Sequence, residues 1–163
     1  TLMLPGHVTI VPKFIMFRQA GLLDSLWPVA LPDLFGQSFY IFILRQFFLT
    51  LPVELDEAAE IDGANLLQVL FRVVIPLSKP AIATVAVFNF ISKWNEFFEP
   101  FVFIQTPEKL TLAVGIRWFR TQYGTEFQML MAASIVSVAP IIIVFFFAQK
   151  QFVRGIALTG IKS

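Results

Sequence analysis

Apolar residues in this chain come in runs separated by short polar or proline-bearing breaks, and four of these runs read as membrane segments. The first, about 1–17, is interrupted by Pro5, Gly6, Pro12 and Lys13. A helix of that length reaches only about 25 Å, short of the bilayer core, so the segment reads as incomplete. The second run, about 34–49, is LFGQSFYIFILRQFFL and follows Pro28 and Pro32. The third reads as one segment from near Pro80 to near Ile104, and the fourth covers about 127–147 with Pro140 inside it. A membrane helix tolerates such a proline when a neighbour satisfies the carbonyl it frees. The pattern predicts an all-α, polytopic transmembrane bundle of about four segments.

Between the second and third runs the pattern changes. ELDEAAEIDGAN, residues 54–65, carries five carboxylates and no Lys or Arg. Pro52 stands before the first turn of a predicted helix, where Glu54, Asp56 and Glu57 suit the positive helix start. Gly63 is a natural stop, since glycine accepts the left-handed conformation that ends helices. A second short helix follows as NLLQVLFRVVIP, closed by Pro76, with Leu66, Val69, Leu70 and Val73 at one-face spacing. Residues 52–76 are therefore predicted to be a pair of short helices outside the bilayer. A solvated loop lying on the membrane surface is the plain alternative, but anionic headgroups repel an acidic helix. Ala58 and Ala59 also give a narrow face that fits a protein groove.

Composition strengthens the membrane reading. The chain has 163 residues, 57% of them hydrophobic and only 14% charged, with 20 Phe; its mean hydropathy is +0.77. A soluble domain of this size cannot hide so much apolar surface in one core. The net charge of +1 gives no footprint for nucleic acid. Cysteine is absent, which excludes a disulfide, a thiolate catalyst and a Cys metal site. The chain opens TLMLPGHVTI without an initiator Met or a signal-peptide pattern, so it reads as the C-terminal part of a longer, N-terminally truncated protein.

Polar residues interrupt the third segment. Asn89, Ser92, Lys93, Asn95, Glu96 and Glu99 lie there, and on one continuous helix Asn89, Lys93 and Glu96 would share a face. Ionisable groups at membrane depth are costly and usually face a bundle interior or an aqueous cavity. One reading is a wall of a solute path, with Asn89, Lys93, Asn95 and Glu96 for hydroxyls and Trp94 or Phe97 for stacking. The other is a structural Lys93–Glu96 pair. His7 has no partner at ligand spacing, so no metal site is expected, and no nucleophile–base or phosphate-loop motif points to a catalytic residue. Ala133 and Ser137 form a small-xxx-small step suited to close helix packing.

EAAEIDGANLLQVLFRVVIP resembles the EAA loop of ABC-importer permeases: E-A-A, three residues, Gly, nine residues, then I-x-L-P. Here Glu57-Ala58-Ala59 is followed by Gly63 and then Val73-Val74-Ile75-Pro76, with Val73 for Ile and Ile75 for Leu. RQFFLTLPVELDEAAEIDGA, PLSKPAIATVAVFNFISKWNEF, TLAVGI and ALTGIKS are similar to the carbohydrate-uptake branch, the maltose- and glycerol-phosphate-type permeases. The resemblance implies a single transmembrane domain over 1–163 and a coupling loop at 52–76 in which Glu57, Ala58, Ala59, Asp62, Gly63 and Pro76 meet a cytoplasmic ATPase. It also implies a second permease subunit, an external solute-binding protein, a sugar or sugar-like solute, and ATP in the partner, with no cofactor on this chain. Residues 50–79 and the C-terminus would be cytoplasmic and the protein multi-pass in a bacterial or archaeal plasma membrane. Charge alone leaves that orientation open. Arg45, Arg72, Lys79, Lys150, Arg154 and Lys162 would face inward, against Arg18, Lys109, Arg117 and Arg120 outward. The alternatives are a permease for an amino acid, peptide or phosphate, and an ion-coupled carrier using the Lys93/Glu96 stripe.

Overall fold

The structure, a computed structural model, describes residues 6–118 and 127–159. The start of the first predicted segment, Arg120, Lys162 and the end of the ALTGIKS tail lie outside the described residues. Among those described there are helices and no strand, as the all-α reading expects. After a 3-10 turn at Gly6–Thr9 come α1 (Ile10–Gln19), α2 (Trp27–Leu34), α3 (Ser38–Phe48) and α4 (Glu54–Ile61). Then follow α5 (Leu66–Val69), a π turn (Leu70–Val74), α6 (Ile75–Leu77), α7 (Lys79–Trp94), α8 (Phe98–Phe103), a second 3-10 turn (Pro107–Lys109), α9 (Leu112–Trp118) and α10 (Phe127–Thr159).

Among the described residues one stretch, Phe127–Gln149 of α10, is long and apolar enough on its own to cross a membrane. Its 23 residues rise about 35 Å, enough for a core of about 30 Å. The remaining predicted segments are more broken than their hydropathy suggested. Gly36, at φ 82°, separates α2 from α3, so the second segment's helix begins at Ser38 instead of Leu34 and spans 11 residues. The third segment is not one helix from Pro80 to Ile104. It stops at Trp94 and restarts at Phe98, because two side chains and a proline compete with the backbone ladder. Asn95 Nδ2 donates to the Ile91 carbonyl at 2.8 Å, the Glu96 carboxylate accepts from the Phe98 N–H at 3.0 Å, and Pro100 has no N–H for the Glu96 carbonyl. Upstream, Leu66–Leu77 meets α7 at a bend of 75°.

The chain divides into two compact units, 1–38 with 90–143 and 39–89 with 144–163. In the first, Phe103 is fully buried, edge-on to Phe17 at 5.9 Å and stacked with Phe14 at 6.3 Å. Pro28 of α2 and Pro100 of α8 are buried with it. In the second, Val69, Ser78, Ala81 and Val87 are buried. Long apolar side chains elsewhere stay open: Ile135 of α10 is 72% exposed and Phe147 83%. Water would oppose such a surface, whereas lipid or a partner subunit covers it at no hydrophobic cost.

Candidate coupling surface and candidate solute path

The loop of the second unit folds as a helical hairpin whose turn is fixed by local hydrogen bonds. α4 opens with Glu54, Asp56 and Glu57 in its first turn, where the helix dipole favours negative charge. It ends in a Schellman arrangement: the Ala64 N–H donates to the Ala59 carbonyl at 2.9 Å and the Gly63 N–H to the Glu60 carbonyl at 2.9 Å. Gly63 takes the left-handed conformation this closure needs, φ 83°. The next helix starts at once with a capping box. Asn65 Oδ1 accepts from the Gln68 N–H at 2.9 Å and Gln68 Oε1 accepts from the Asn65 N–H at 2.8 Å.

Pro76 does not close the second helix as the sequence suggested. The helix runs past it to Leu77, and a π turn absorbs the proline, the Ile75 N–H reaching back to the Leu70 carbonyl. The expected apolar face is only partly used: Val69 is buried and Val73 half-buried, but Leu66 is 80% exposed. The hairpin cradles a concavity of about 320 Å³ lined by Ala59, Asp62, Gly63, Ala64, Gln68 and Arg72. Of the predicted coupling residues, Ala59, Asp62 and Gly63 therefore come together. Glu57 and Ala58 are exposed on α4, and Pro76 stands on the other arm, outside the concavity. Ile61, 86% exposed, and Leu55, 41% exposed, add apolar surface to the acidic helix; sequence reasoning did not single them out.

The polar stripe has a different geometry from the expected single face. α7 ends at Trp94, so Glu96 does not continue the row of Asn89 and Lys93. Nor is there a Lys93–Glu96 pair: Lys93 Nζ meets Asp33 Oδ2 at 2.8 Å, and Gln37 Nε2 donates to Asp33 Oδ1 at 2.8 Å. Glu96 instead caps the start of α8, accepting from the Phe98 and Glu99 N–H groups at 3.0 and 3.3 Å. Glu99 pairs with Lys13 at 2.7 Å. Both long-range pairs lay beyond sequence reasoning, since nothing local links Asp33 to Lys93 or Lys13 to Glu99.

Trp94 is held by structure. Its Nε1–H donates to the Ser137 carbonyl at 2.8 Å, and its ring stacks on Phe90 at 5.7 Å. The bond falls on α10 one residue past Val136, whose carbonyl Pro140 leaves without a donor, so a neighbouring helix reaches the weakened turn. Asn89 Oδ1 is buried without a partner among the described residues. Asn95 and Phe97 line a concavity of about 530 Å³ with Ala113, Ile116, Arg117 and Ser137, and the Arg117 guanidinium carbon sits 5.0 Å from the Phe97 ring centre. His7 packs edge-on to Phe98 at 4.7 Å.

A further cluster joins two connections. Asp24, at φ 57°, accepts from the Thr106 N–H and hydroxyl at 2.7 Å each, from the Gln105 N–H at 3.0 Å and from Lys109 Nζ at 2.7 Å. The Asp24 N–H donates to the Phe103 carbonyl at 2.9 Å. Lys109 foremost, then the Thr106 and Gln105 donors, hold the carboxyl well below the usual carboxylate range, while partial burial opposes them. It lies between α1 and α2, outside the membrane-spanning segments.

Residues 1–158 match the family described as binding-protein-dependent transport system inner membrane component. The chain is 39% identical over 158 residues to the sn-glycerol-3-phosphate transport system permease protein of Yersinia pestis bv. Antiqua, covering 96% of this chain and 56% of that one. It is 32% identical over 161 residues to the arabinooligosaccharides transport system permease protein of Halalkalibacterium halodurans, covering 99% and 57%. Among solved structures, a bacterial ABC transporter involved in the import of the acidic polysaccharide alginate matches with a TM-score of 0.71 and 33% identity, over 87% of this chain and 55% of that one. The chain thus spans a little over half the length of these relatives.

Proposed function

Since the chain belongs to the family of binding-protein-dependent transport system inner membrane components, we propose that it works as a permease subunit of an ATP-driven importer for a sugar or sugar-like solute, and not as an enzyme. In that reading the chain belongs to one transmembrane domain. The hairpin over 52–76 faces the cytoplasm and docks on an ATPase subunit through Glu57, Ala58, Ala59, Asp62 and Gly63. ATP is bound and hydrolysed there. A second permease subunit completes the path, and an external binding protein delivers the solute. Closure of the ATPases moves the hairpin, and the membrane helices open in turn to the two sides.

The observation that carries this reading is the exposed acidic helix with Ile61 and Leu55 open beside the concavity at Gly63. Acidic charge keeps such a surface off anionic lipid, and its apolar residues call for a protein groove. The resemblance of the relatives supports a carbohydrate solute over an amino acid, peptide or phosphate. In proteoliposomes holding the complete assembly, uptake follows ATP hydrolysis and persists when a protonophore collapses the proton gradient at constant ATP. Loss of uptake under the protonophore points instead to an ion-coupled carrier.

A further inference from the structure

The concavity beside α9 has a chemical character that the hairpin and the ion pairs do not share. Its lining among the described residues carries one charge, Arg117, and no carboxylate. Arg117 lies over Phe97, which is itself stacked on Phe101 at 5.4 Å, so an aromatic pair supports the guanidinium. No carboxylate of the described residues lies within ion-pair distance of it, in contrast to Lys13, Lys93 and Lys109 of the same unit. A guanidinium carried on a ring keeps its rigid fork of N–H donors for another ligand, and that fork matches a carboxylate or a phosphate. Asn95 spends its amide nitrogen on the Ile91 carbonyl, leaving its carbonyl oxygen to accept from a hydroxyl. The Ser137 hydroxyl is a further donor and acceptor on the wall, and Ala113 and Ile116 supply apolar sides. The volume of about 530 Å³ lies within the range of small-molecule sites.

We infer that this concavity is a solute subsite for an anionic saccharide, with Arg117 gripping the carboxylate or phosphate and Asn95 and Ser137 meeting hydroxyls. The inference rests on the importer reading and adds the charge of the solute to it. Phe97 is a positioning residue, acting through Arg117. The competing source of the same chemistry is a lipid phosphate gripped by Arg117 at the bilayer edge.

The test places a single cysteine at Ala113, on the apolar wall, in the full-length permease assembled with its partner subunits in nanodiscs. Labelling by an anionic and a cationic methanethiosulfonate is compared with that of a free thiol. The anionic reagent reacts at least fivefold faster relative to the cationic one, and Arg117→Gln removes the preference while Arg117→Lys keeps most of it. Galacturonate or glucose 6-phosphate at millimolar concentration slows labelling several-fold, and which of them does so separates a carboxylate from a phosphate. Galactose and glucose leave the rate within twofold. The inference is overturned if no reagent labels the cysteine, if the anionic preference survives Arg117→Gln, or if neutral and acidic sugars protect equally. It is also overturned if acidic sugars do nothing and the preference vanishes on replacing phosphatidylcholine with phosphatidylglycerol, which assigns Arg117 to lipid. ATP-independent uptake by the same assembly would instead count against the importer reading, and the labelling pattern would stand or fall separately.

Discussion

A Cβ built on Gly63 meets nothing within 4 Å, so within this chain only the backbone conformation favours glycine there, and a requirement for close approach would have to come from the proposed ATPase contact. At φ 83° a β-branched residue is disfavoured by about 1–2 kcal/mol or more, and the Schellman closure at Ala59 and Glu60 loosens. Gly63→Val is expected to leave the full-length protein in the membrane and to reduce ATPase co-purification severalfold. Asparagine accepts left-handed backbone, so Gly63→Asn separates the two causes: retained co-purification assigns the role to conformation, and loss assigns it to close approach. At Asp24 the argument is electrostatic. A carboxyl held below its ordinary value stabilises the fold above the ordinary pKa of about 4 and loses that contribution as pH falls through the lowered value. Amide protection at Gln105 and Thr106 should therefore weaken as pH drops from about 4 toward 2. Asp24→Asn, which removes the charge, should show low protection and no such step; a step that persists in the variant would exclude Asp24 as its source.

Between elements, the Asp33–Lys93 pair ties α2 to α7, with side chains 23% and 27% exposed. Removing one partner leaves a half-buried charge unmatched, a loss of about 1–3 kcal/mol, whereas removing both restores much of it. Asp33→Leu and Lys93→Met alone should lower the thermal midpoint of the assembly in detergent more than the double replacement does. Additive effects would show the pair to be idle. Glu96 behaves differently, because it caps α8: Glu96→Gln keeps an acceptor and should be mild, and Glu96→Ala, which strands two N–H groups, should not. These contrasts decide which part of the polar stripe is scaffold. Lys93, Trp94 and Glu96 have assigned structural partners, and Asn95 is the stripe residue that lines the concavity with Arg117.

For the molecule as a whole, the open apolar surface sets the solvent it requires. Val138, near the middle of Phe127–Gln149, is 47% exposed. An arginine at a central membrane position costs about 3 kcal/mol on insertion scales. Val138→Arg in the full-length protein should thus cut the membrane-inserted fraction severalfold, read by protease protection of the following segment. Unchanged insertion would mean that this face of α10 meets water or a charged partner.

Hydrophobic runs and the Gly63 and acidic-helix signals determined, from sequence alone, an all-α membrane protein with a helical hairpin between its second and third runs. Those features are local. Apolar periodicity, left-handed glycine and helix-start carboxylates act within a few residues, so they are legible along the chain. What the tertiary structure decided is how the runs break and who partners whom. The third run looks continuous because hydropathy is blind to a side chain such as Asn95 or Glu96 turning back on the backbone. Pro76 looks like a stop because a π turn depends on neighbours that accept the bulge. Lys93 with Asp33, Glu99 with Lys13 and Asp24 with Lys109 are joined across 60 or more residues, where Coulomb attraction acts through space and leaves no periodic trace in the sequence.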